Sequence, residues 1–190
     1  MSFIKASALG PLTASNTATI VDPATPASGS AYLGPIVNFA TIATTSGTAI
    51  DTTGIPSWAK RITVVFNGVS TTGTYNYIMQ LGTAGGIVSS GYTSTMTTIY
   101  NSASPGATSY TNGFNLTNPP SSSATFYGLV TIMNAGSNAW SMSSNLCETS
   151  GPRVMLTTGG VTLSGALTTI RLTQGNVDTF DAGSINIYYE

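Results

Sequence analysis

Thr125-Phe126-Tyr127-Gly128-Leu129-Val130-Thr131-Ile132-Met133 runs into Asn134-Ala135-Gly136-Ser137 and then Asn138-Ala139-Trp140-Ser141-Met142. The first nine residues are β-branched, aromatic and apolar, which suits a pleated, half-buried strand. The four that follow are small residues that favour turns. The last five read as a returning strand. The same grammar extends in both directions. Arg61-Ile62-Thr63-Val64-Val65-Phe66 precedes Asn67-Gly68, a pair that tolerates positive φ and signals a hairpin turn. Tyr75-Asn76-Tyr77-Ile78-Met79-Gln80-Leu81 alternates in part and stops at Gly82, and Tyr92 to Tyr100 is Thr-rich and strand-like. Arg153-Val154-Met155-Leu156 and Val161-Thr162-Leu163 flank Thr157-Thr158-Gly159-Gly160, which predicts a second hairpin. Leu167 to Leu172 and Ser184 to Tyr189 complete the set.

No segment carries the 3.6-residue apolar period of an amphipathic helix, and Glu, Lys and Gln are scarce. About nine or ten short strands with regular turns predict an all-β, antiparallel β-sandwich or jelly-roll-like domain. Residues 101–124, rich in Ser, Asn, Pro and Gly around Phe114 and Leu116, read as a long loop packed on a neighbour or used functionally.

Residues 1–36 differ. Pro11, Pro23, Pro26 and Pro35 each remove a backbone donor, and the large apolar residues follow no period. The stretch reads as a flexible tail or as an extended arm that orders on a neighbouring subunit. The arm is the expectation, followed by a β-sandwich domain over residues 37–190.

The 190 residues contain 5 Lys+Arg, 6 Asp+Glu and no His, so 6% are charged, against roughly 25% in an ordinary domain. Without His there is no Ser-His-Asp or Cys-His catalytic unit and no imidazole metal ligand. A single Cys, Cys147, forms no disulfide within one chain and no thiolate metal site. Five cations neutralise too few phosphates for nucleic-acid binding. Gly82-Thr83-Ala84-Gly85-Gly86 lacks the spacing of a phosphate loop, so no cofactor is expected. No apolar run approaches the roughly 20 residues of a membrane-spanning helix, and the start lacks a signal-peptide pattern. Synthesis in the cytoplasm without membrane insertion is expected.

Few residues invite a site. Asp178 and Asp181 could contribute to a metal site or a carboxylate pair, but as short side chains before the last strand they more readily shape a turn. Lys60-Arg61 is the sole basic pair and reads as an exposed strand start. Trp58, after Ile55-Pro56-Ser57, reads as a core or interface anchor. Tyr75, Tyr77, Tyr92, Tyr100 and Tyr110 lie in or beside the Thr-rich middle of the chain. Aromatic faces among hydroxyls and amides suit glycan contact, and they also make ordinary sheet faces.

Gly54-Ile55-Pro56-Ser57-Trp58-Ala59-Lys60-Arg61-Ile62-Thr63-Val64-Val65-Phe66-Asn67-Gly68-Val69-Ser70 resembles a segment of tailed-bacteriophage virion proteins. So do Gln80-Leu81-Gly82, Gly86-Ile87, Ser90-Gly91-Tyr92 and the ending Asp178 to Glu190. In that family the segment often closes the C-terminal part of tail-fibre-like structural proteins. The resemblance covers roughly residues 50–190 and brings no catalytic residues. It implies a non-enzymatic virion component, a homotrimer attached to other virion proteins through residues 1–36. Two roles fit: a short fibre or receptor-binding tip that mediates host attachment through a surface glycan, or a capsid decoration protein that stabilises the head lattice. The trimer is expected on physical grounds too, because sheet edges need cover.

Overall fold

In the computed structural model the described residues are 37–100, 106–119, 121–151 and 153–190, with side chains described from Thr41 onward. The expected arm over residues 1–36 lies outside them. The described residues form thirteen strands. In chain order these are β1 (Val37–Ala43), β2 (Ala49–Thr53), β3 (Arg61–Thr71), β4 (Tyr77–Thr83), β5 (Gly86–Ile87), β6 (Thr93–Tyr100) and β7 (Gly106–Tyr110). They continue with β8 (Phe114–Asn115), β9 (Phe126–Gly136), β10 (Ala139–Glu148), β11 (Arg153–Thr162), β12 (Thr169–Gln174) and β13 (Phe180–Tyr189).

The strands make two sheets, antiparallel at every pairing. The larger has eight strands in the order β1-β13-β3-β9-β10-β11-β6-β7. The smaller has five, β2-β12-β4-β5 with β8 also on β4. Side chains of both sheets share one core. Ile62, Val64, Phe66, Val130, Ile132, Met142, Leu146 and Ile187 come from the large sheet. Met79, Leu81, Ile170 and Leu172 come from the small one. The expected all-β antiparallel sandwich is therefore what the chain forms.

β10 shows why sequence dictates this arrangement. Trp140, Met142, Ser144, Leu146 and Glu148 are buried, while Ser141, Ser143, Asn145 and Cys147 between them are exposed. This two-residue period puts one face on the core and one in solvent. β9 and β10 are joined through Ser137-Asn138, a turn tighter than the four-residue turn expected from Asn134. Ser137 takes a φ of +49°, as two-residue hairpin loops require. The Asn134 side chain holds the turn, donating to the Ser137 carbonyl at 2.9 Å and accepting from the Gly136 amide at 3.2 Å.

Three expectations are corrected. Asn67-Gly68 is not a turn: β3 runs through it, and Gly68, with φ +67°, absorbs a register shift against β9 between Asn67 and Val69. A bulge uses the same conformational freedom as a turn and leaves the strand continuous. Thr157-Thr158-Gly159-Gly160 is not a hairpin either, because β11 is unbroken. A Cβ on Gly159 would run into the Thr93 carbonyl of β6, so that glycine serves close strand approach. Residues 101–124 are not one loop. They contain β7 and β8, and Phe114 and Leu116 are completely buried.

Candidate functional site

A cleft opens where three turns meet. Its walls come from the Ile55–Lys60 approach to β3, from the β9–β10 hairpin at Asn134, Ser137, Asn138 and Trp140, and from Ala166-Leu167 before β12. Main-chain bonds fix this frame. The Ile55 amide donates to Thr168 at 3.2 Å and the Ala59 amide to Pro56 at 3.0 Å. The Asn134 amide donates to Lys60 at 2.8 Å and the Leu163 amide to Asn138 at 3.0 Å. The volume is about 150 Å³, below the ~300 Å³ at which small-molecule pockets typically begin. It admits a small polar group rather than a whole ligand.

Lys60 stands at this cleft with no ion pair among the described residues. The other described cations are matched: Arg61 with Glu190, Arg171 with Asp51 at 2.7 Å, and Arg153 with Glu148 at 3.7 Å. The basic pair is therefore divided. Arg61 is tied to the chain's last residue, and Lys60 alone points an uncompensated charge at solvent. The cleft residues of the β9–β10 turn and of Ala166-Leu167 carry no chemical signature in sequence. Only the turn itself is legible there.

The five tyrosines do not form one surface. Tyr77 and Tyr92 are core residues, a correction to their reading as glycan contacts. Tyr77 packs against Phe126 at 5.0 Å and Phe180 at 5.7 Å. The Tyr92 ring stands edge-on to Phe114 at 4.9 Å. Its hydroxyl accepts from the Leu81 amide at 2.7 Å and donates to the Val88 carbonyl at 3.0 Å. Burial pushes both phenols up to about 12. The spacing Tyr77, Met79, Leu81 already places Tyr77 on a core-facing row.

The others remain accessible. Tyr75 is 47% exposed. Tyr110, half-buried on the short edge strand β7, accepts a hydrogen bond from the amide of Asn76 at 3.4 Å, which brings Tyr110 beside the Tyr75-Asn76 segment. Tyr100 lies apart, its ring covered by the Arg153 guanidinium at 4.2 Å. Trp58 is half-buried and packs edge-on against Tyr189, with ring centroids 6.5 Å apart. It closes the core beside the cleft.

Asp178 and Asp181 sit at the start of β13. The Asp181 carboxylate accepts from the Ser70 hydroxyl, pinning β13 to β3. The Asp178 carbonyl accepts from the Gln174 side chain, and the Asp178 carboxylate lies against Gly73, where any Cβ would collide with it. Asp181 thus links two distant strands and Asp178 packs on Gly73, rather than either carboxylate bonding a nearby backbone amide as a turn-shaping side chain would. Among the described residues, no group of three His, Cys, Asp or Glu side chains is placed to hold a metal ion. No helix among them is long and apolar enough to cross a membrane. Comparison with protein-family models, with curated proteins and with solved structures finds no match to this chain.

Proposed function

We propose that the chain is a non-enzymatic bacteriophage virion structural protein. In this reading it is a short trimeric fibre or receptor-binding tip, displayed on the particle surface and attached through residues 1–36. The observation that carries the reading is where the resembling segments fall. Gly54–Ser70 supplies β3 with its Trp58 entry, and Asp178–Glu190 supplies β13. These two strands pair side by side, from Ile62 with Tyr189 to Thr71 with Phe180. The two longest resembling stretches therefore form one contiguous unit within the large sheet, while Gln80-Leu81-Gly82 and Gly86-Ile87 fall on β4 and β5 of the small sheet and Ser90-Gly91-Tyr92 precedes β6. The nearly charge-free composition supports the same reading, since such a surface packs against other subunits without burying unpaired charge.

Glycan contact narrows to Tyr75, Asn76 and Tyr110, which combine an exposed aromatic with amide and hydroxyl groups at one sheet edge. The test has two arms. Immunogold labelling of purified particles with antibody to the folded domain is expected to mark the tail tip, and the full chain is expected to bind on a glycan array. Label spread over the head without glycan binding replaces the proposal with capsid decoration. Particles that carry none of the protein sink both.

A further inference from the structure

The two sheets present opposite chemistry to solvent. On the small sheet, Arg171 lies between Asp51 and Gln80 in the register and is ion-paired with Asp51. Gln80 in turn donates to the Asn112 carbonyl at 2.7 Å, so the chain itself bridges part of that face. The outer face of the large sheet is different. Register places Val65, Leu129, Asn145, Leu156 and Thr97 in one row across β3, β9, β10, β11 and β6. The next row holds Asn67, Tyr127, Cys147, Val154 and Ile99. Leu129 and Met133 are each 50% exposed, and Tyr127, Leu156 and Ile99 are exposed as well. Leu129 and Leu156 lie on the interior strands β9 and β11, with Met133 and Ile99 toward the ends of the same face.

We infer that this face is the surface through which copies of the chain pack against one another. Charge argues for a second copy over an unlike partner. Across the strands of this face the outward positions are Thr, Ser, Asn and apolar residues. Arg61 and Glu190 pair with each other at one end, and the exposed Asp181, held by the Ser70 hydroxyl, lies at the opposite end of the β3–β13 pair. A face whose central strands β9, β10 and β11 present neither sign of charge outward repels no identical face and offers a charged partner little to pair with. Area argues likewise. Eight strands at about 4.8 Å, over a length of about 20 Å, give roughly 700 Å² before side-chain relief. That approaches the ~800 Å² a subunit contributes to a standard stable interface, here divided between two neighbouring copies. Three such faces turned toward a common axis would bury the apolar rows and leave the ion-paired small sheets outside.

The inference rests on the self-association proposed above, and the experiment separates the two. The full chain is studied by analytical ultracentrifugation at micromolar concentration, with maleimide labelling of Cys147, which is exposed within the face. A trimer is expected, with Cys147 labelled slowly. Leu129→Lys is expected to weaken assembly about 30-fold or more, the equivalent of losing a ~2 kcal/mol hot spot. It should also restore fast labelling, with far-UV circular dichroism unchanged. Leu156→Lys, two strands away, should do the same if Leu129→Lys misfolds. Thr53→Lys on the small sheet should leave the trimer intact. A wild-type monomer overturns both self-association and this face. An oligomer whose Cys147 reacts freely, or that survives both lysine substitutions, overturns the face alone and points to edge pairing.

Discussion

Arg171 and Asp51 join β12 to β2 by two parallel hydrogen bonds, Nε to Oδ1 and Nη2 to Oδ2, each 2.7 Å. The fork geometry suits guanidinium and carboxylate, and it places the pair on the outer face of the small sheet. Both side chains remain about a third exposed, so screening limits what the pair contributes.

Asp51→Asn is expected to cost about 0.5 kcal/mol at neutral pH, the scale of exposed ion pairs. The Arg171 hydrogen bond holds the Asp51 carboxyl below its ordinary 3.8. A lowered folded value means the contribution is complete above 3.8 and is lost as pH falls through the folded value. Urea unfolding of both proteins should therefore show a gap at pH 7 that closes in strong acid.

The buried phenols set an alkaline limit. Burial raises Tyr77, Tyr92 and Tyr189 to about 12 from 10.0. Unfolded tyrosines release their protons first, so the folded state loses stability as pH rises from 10 through 12. Ultraviolet titration followed alongside circular dichroism reads this limit. The three core phenols should ionise late, together with loss of the near-UV circular dichroism signal.

Tyr92→Phe removes the hydroxyl that bridges Leu81 and Val88. The ring keeps its packing on Phe114, but the Leu81 amide loses its acceptor in the interior. The expected cost is about 1–3 kcal/mol, read as a lower denaturation midpoint with an unchanged denaturant slope.

Two glycines should respond differently to Ala. Gly159→Ala drives a methyl into the β6 backbone at Thr93, and the expected loss is about 1–3 kcal/mol. Gly85→Ala in the β4–β5 turn meets only the Thr83 hydroxyl, at 3.5 Å, and should be near neutral. Comparable losses at both positions would contradict the close approach of β11 and β6.

Ser137→Gly relieves a left-handed backbone that costs an L-residue roughly 1 kcal/mol. After the extra chain entropy of glycine, a gain of about 0.5 kcal/mol is expected, a rise of roughly 1–2 °C in Tm by calorimetry.

Much of this was legible in the residues themselves. Alternation in Ala139–Glu148, β-branched runs at Arg61–Phe66 and the absence of helical periodicity fix an antiparallel all-β chain, because side-chain direction along a strand depends only on the local period. Local sequence could not separate uses that share one conformation. Asn67-Gly68 reads alike as turn and bulge, and Gly159 as a turn and as a close approach, since both exploit a missing Cβ. Tyrosines with the same local propensity divided between the core, as Tyr77 and Tyr92, and the surface, as Tyr75. Phe114 and Leu116, set in a loop-like stretch, were drawn into the core by pairing with β4.

The sequence alone determined that this protein carries no histidine, a single cysteine and only 6% charged residues, because composition needs no geometry. The tertiary structure alone decided which neutral side chains meet. The cross-strand register of distant segments set Val65, Leu129 and Leu156 in one outward row. Pairing between distant strands also carried the ion pair Arg171–Asp51 to the other sheet. Such juxtapositions follow from long-range strand pairing, where a slip of one residue would turn each row to the opposite face.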